Sequence, residues 1–139
     1  MKNVQEFKDF LKIEFMEEHQ AYGHFPFHIV SEDQQNKITL GAMVLSSIGK
    51  CYKMFHDTMK GGAKRCYMSV DFPAMKDIEH DFIAVFSYES STHEMNLVAI
   101  PYNGETGERY PEISYKDSEI LNEIFKEFAM TVVREAGIV

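Results

Sequence analysis

The sequence predicts an α+β fold: a mixed, mainly antiparallel four- to five-stranded sheet packed with three helices, in the order α-β-β-α-β-β-β-α. Three observations carry this expectation. Three stretches space their apolar residues as helices do, five others alternate or run apolar like strands, and polar or Gly- and Pro-containing turns separate them.

Residues 3–21 form the first expected helix. Val4, Phe7, Leu11 and Phe15 recur at helical spacing, Phe10 widens the stripe, and Asn3 with Glu6 matches the pattern of a capping box. Gly23 marks its stop. Residues 24–30 are aromatic and loosely alternating, and Pro26 points to an edge strand or an extended segment. A polar turn leads to 37–45, where Ile38, Leu40, Ala42 and Val44 share one face of a strand. These two stretches suit a hairpin.

Ser46 or Ser47 then caps a second helix with Ile48, Cys51, Tyr52, Phe55 and Met59 on its apolar side, ended by Gly61-Gly62. Residues 65–72 return to period two through Cys66, Met68, Val70 and Phe72. Strand, helix and strand in this order allow a parallel βαβ unit. From Phe82 to Tyr88 both faces are apolar, so this strand is expected at the centre, covered on both sides. It pairs with 95–102 as an antiparallel hairpin across the turn 89–94. The last helix carries Ile120, Leu121, Ile124, Phe125, Phe128, Val132 and Val133, with Asp117 as its cap and Gly137 as its stop.

A central strand apolar on both faces needs two covering layers. Either the helices divide between the faces, or a homodimer covers one of them. No linker or repeat interrupts the 139 residues, so one domain is expected over 1–139.

Composition narrows the function classes. The net charge of −8 disfavours nucleic acid and anionic membrane as generic partners. The basic cluster Lys60, Lys64 and Arg65 reads as a solvated helix end. With no leader-like or membrane-length apolar run, a soluble cytoplasmic protein is expected. Cys51 and Cys66 fall at apolar positions, as buried reduced thiols do.

The topology brings one candidate site together. The ends of strands 37–45, 65–72 and 95–102 and the start of 82–88 share one edge, which gathers Ser46, Ser47, Asp71, Asp77, Glu79, His80, Asp81 and Asn103, with Asp71, Glu79, His80 and Asp81 as the candidate ligand-binding groups. A carboxylate beside an imidazole can act as an acid–base pair or bind a hard metal ion. A loop this acidic is more often a solvated turn, and Asp71 before Phe-Pro more often a turn former than a catalytic group. His19, His24 and His28 form a second candidate, for metal. Their spacing matches neither H-E-x-x-H nor a Cys/His finger.

Nucleophile elbows, phosphate loops and dinucleotide fingerprints are absent from the sequence, and no cofactor is expected. Two functional readings follow. The first is a protein-interaction or regulatory module docking on a protein partner. The second is a small enzyme or ligand-binding domain using the acidic strand-end edge.

Overall fold

Long alternating strands bury their apolar residues only if they pair and are covered, and here they pair as one sheet. The computed structural model describes residues 5–11, 27–43 and 47–130. Within them lie helix α1 over residues 5–11, strands β1 (Phe27–Glu32) and β2 (Ile38–Met43), and helix α2 (Ile48–Lys60). There follow β3 (Arg65–Phe72), β4 (Asp81–Glu89), β5 (Glu94–Tyr102), the two-residue β6 (Ile113–Ser114), a 3-10 turn at Tyr115–Asp117, and α3 (Glu119–Phe128). The strand order is β2-β1-β3-β4-β5-β6, and every pair is antiparallel.

The α+β class is therefore as expected, with two corrections to the sheet. First, β2 and β3 run in the same direction but are not adjacent. Strand β1 lies between them, antiparallel to both, so the sheet is wholly antiparallel rather than mixed. Second, β1 is interior and β2 is the edge. The edge expectation rested on Pro26, which lies outside the described residues; the strand Phe27–Glu32 has a partner on each side. The sixth strand, β6, is a short addition in a stretch that read as loop.

The helices divide between the two faces. Helices α2 and α3 cover one side, where Cys51, Tyr52, Phe55, Leu121 and Phe128 pack on Met68, Ala84, Phe86 and Leu97. On the other side Phe7 and Leu11 of α1 meet Val30, Tyr67, Ile83, Val85 and Ile100. Strand β4 is buried on both faces, from Phe82 at 0 % exposure to Phe86 at 0 %. Helix α1 thus supplies a cover for the second face, and no second copy is needed for that purpose. The expected helix beyond residue 11, with Phe15, and the last-helix residues Val132 and Val133 lie outside the described residues. So do Ser46 and Gly137. Cys51 and Cys66 are buried free thiols, and burial pushes both up, the Cys51 thiol to about 11. No described helix is long and apolar enough to cross a membrane.

Capping fixes the helix starts. Ser47 caps α2, its Oγ accepting from the Lys50 N–H at 3.3 Å. Helix α3 is capped by Ser118, not by Asp117, which closes the preceding 3-10 turn. Ser118 Oγ accepts from the Leu121 N–H and donates to Asp77 Oδ1 at 3.1 Å, while Asp77 Oδ2 accepts from the Glu119 N–H at 2.9 Å. Desolvation alone would raise the Asp77 carboxyl, but these hydrogen bonds outweigh it and hold the group below its ordinary 3.8. A depressed carboxyl contributes stability above the ordinary value and loses it as pH falls through the folded one. Asp77→Asn is therefore expected to flatten the acid limb of a stability-versus-pH series, leaving stability near pH 4 less pH-dependent than in the parent.

Candidate functional site

The end of the sheet at which β3 stops and β4 starts does gather the expected acidic residues, but most of them have structural partners. Asp71, late in β3, points to the α1 side of the sheet, where its Oδ1 accepts from the Tyr102 hydroxyl at 2.7 Å. Burial, then the Asp71 carboxylate, raises the Tyr102 phenol far above its usual range. Asp81 Oδ1 accepts from the Ala74 N–H at 3.0 Å and so ties the β3–β4 connection together. In the same connection Met75 and Ile78 form an isolated bridge around Lys76, which takes a positive φ of 44°. Ile78 is 2 % exposed and belongs to the core. With Asp77 capping α3, this loop is a built connection and not a free solvated turn.

Glu79 and His80 remain more open. The Glu79 side chain is 90 % exposed, and His80 Nε2 lies 3.7 Å from its Oε1. The His80 ring stacks on Tyr110, with centroids 4.2 Å apart and planes inclined by 20°. The pair stands in an open groove of about 470 Å³, walled by Lys76, Pro101 and Pro111. Lys76 pairs with Glu123 at 3.2 Å. Of the metal candidates, His19 and His24 lie outside the described residues. His28 is buried in β1, edge-on to Phe10 at 5.8 Å. Among the described residues no three His, Cys, Asp or Glu side chains are placed to hold a metal ion.

The basic cluster is dispersed by the fold. Lys64 donates through Nζ to Asn36 Oδ1 at 3.0 Å, on the turn joining β1 to β2. Arg65 lies between two carboxylates, because the register sets Glu32, Arg65 and Glu89 side by side across β1, β3 and β4. Its guanidinium is 3.2 Å from Glu32 and 3.1 Å from Glu89.

The feature that the sequence pattern does not identify is β2. Its alternation matches that of a half-buried strand, and its register with β1 puts Ile38, Leu40 and Ala42 on the α1 side, opposite Glu32, Val30 and His28. Yet Ile38 is 44 % and Leu40 49 % exposed, and Ala42 is exposed too. No described strand lies outside β2, so one set of its backbone N–H and C=O groups faces outward. The stretch Ile-Thr-Leu-Gly-Ala-Met carries no charge and no proline, and its pairing with β1 runs without a bulge. Charge, proline and bulges are devices by which edge strands deter further pairing, and the described β2 carries none of these three. Its uncharged run of six residues is the one signal of this readable from sequence.

Comparison of the chain with family models, curated proteins and solved structures finds no match.

Proposed function

We propose that the protein is an interaction module that docks a protein partner by strand addition along β2. The observation that supports this is the exposure of Ile38 and Leu40 on an uncharged, unbulged edge strand. An added strand would satisfy the outward backbone groups and supply affinity through main-chain hydrogen bonds. Alternate side chains, packing beside Ile38 and Leu40, would supply selectivity. The consumption of Asp71, Asp77 and Asp81 in hydrogen bonds to the fold itself favours this reading over an acid–base site at the strand ends.

A peptide copying residues 36–44 is a direct probe. It is expected to bind saturably and to shift the backbone amide resonances of β2 and not those of β5. Leu40→Lys, which places a charge on the edge, is expected to weaken binding by about tenfold or more, a loss of about 1.4 kcal/mol or greater. Peptide addition that leaves β2 unperturbed would remove the reading.

A second reading rests on the groove at His80 and Tyr110, whose stacked rings offer a planar face to a small ligand. Thermal melting with divalent metals, nucleotides and chelator separates the two. A ligand-dependent rise in Tm that His80→Ala abolishes would favour the groove.

A further inference from the structure

Resting on the reading of β2 as the contact strand, we infer that the strand added there is β2 of a second copy of this chain. The two strands run antiparallel about a two-fold axis through Leu40, joining two six-stranded sheets into one.

Charge is the first argument. A chain of net charge −8 meets its own copy only where acidic groups are few, and none of its 22 acidic side chains lies in β2. The flanking charge is Lys37, which this register sets opposite position 43 of the second copy. The two Lys37 residues then stand about 20 Å apart at ~3.4 Å per residue, beyond the ~8 Å Debye length at physiological salt. The open edge is thus electrostatically compatible with itself.

Shape and parity supply the second argument. A two-fold axis perpendicular to the sheet keeps both α1 faces on the same side, so opposed residues must share parity. With Leu40 on the axis, Leu40 meets Leu40, and each Ile38 meets an Ala42, large against small. All three side chains are exposed in the single chain. Cross-strand apolar pairs of this kind are the unit of sheet stabilisation. Moving the axis to Gly41 would oppose two glycines and lose the Leu40 pair. The far edge of the sheet offers no equivalent, since β6 has only two residues.

Cysteine placement tests both the dimer and its register. Cys51 is 3 % and Cys66 0 % exposed, so neither competes with a thiol introduced on β2. Opposed residues in an antiparallel pair have Cα atoms about 4.5–5.5 Å apart, within the disulfide range of about 4.4–6.8 Å. Mild oxidation of Leu40→Cys is expected to yield a covalent dimer. Ile38→Cys, whose two copies would stand about 14 Å apart, is expected to yield none. In sedimentation, the parent mass is expected to rise with concentration from 16.1 kDa toward twice that value. Leu40→Lys is expected to remain at 16.1 kDa with an unchanged circular dichroism spectrum and a Tm that no longer rises with protein concentration.

A parent chain that stays at 16.1 kDa throughout the series would overturn the inference. So would cross-linking of Ile38→Cys as readily as Leu40→Cys. A monomer that still binds the 36–44 peptide at β2 would sink the second copy but retain strand addition. A monomer that ignores the peptide would sink both.

Discussion

Phe128→Ala is expected to lower the stability of the fold by about 3–5 kcal/mol, the cost typical of truncating a buried aromatic. Phe128 is 0 % exposed and joins the two helices of its face to the sheet. Its ring lies 5.1 Å from Phe55 and 5.9 Å from Tyr52, both on α2, and 4.8 Å from Phe86 on the central strand. These tilted and edge-on contacts add to the area term. Urea unfolding followed by circular dichroism measures the loss. Met130→Ala, at a site 57 % exposed, serves as the contrast and is expected to change stability by no more than about 0.5 kcal/mol.

Arg65→Met is expected to lower stability by a different cause. The Arg65 side chain is 18 % exposed, and its partners Glu32 and Glu89 are 9 % and 26 % exposed. Their row across β1, β3 and β4 places the cation between two acids that would otherwise face each other without it. Removing one member of a partly buried ionic group leaves uncompensated charge, at a cost below the ~3–5 kcal/mol of a fully buried pair and on the order of 1–3 kcal/mol. Here the remainder is two carboxylates in a chain already at −8. The same urea measurement is expected to show the loss at neutral pH, and Glu32→Gln added to Arg65→Met is expected to restore part of it. An Arg65→Met chain as stable as the parent would show that the row is incidental to the fold.

Much of this architecture is legible in the sequence. Phe82-Ile-Ala-Val-Phe86 is apolar on both faces, and a strand with that pattern must sit where both faces are covered. Ser46 and Ser47 before Ile48 mark the start of α2, because a hydroxyl there can accept from the first turn, and Ser47 is the one that caps it. The errors are equally physical. A proline removes a ladder donor only at its own position, so Pro26 in the sequence does not decide where the strand that follows it sits in the sheet. Asp117 reads as the cap of α3, whereas Ser118 caps it, and Asp77 bonds to Ser118 and to the Glu119 N–H from 41 and 42 residues away in sequence.

The candidate site shows the same division. Sequence order brings Asp71 and Asp81 to one end of the sheet, but it cannot say that Tyr102 and the Ala74 amide take up their oxygens. The β2 edge was hidden for a related reason. Alternation reports that a strand has an apolar face, whereas the exposure of Ile38 and Leu40 depends on where the covering layer stops.

Amide hydrogen exchange along β2 tests the central claim most directly. Residues of β2 whose N–H groups point outward should exchange rapidly in dilute protein, while those bonded to β1 are protected. Strand addition at this edge predicts that the outward amides become protected as the protein is concentrated or the 36–44 peptide is added, and that Leu40→Lys abolishes that gain. Outward amides that exchange at the same rapid rate under all these conditions would contradict it.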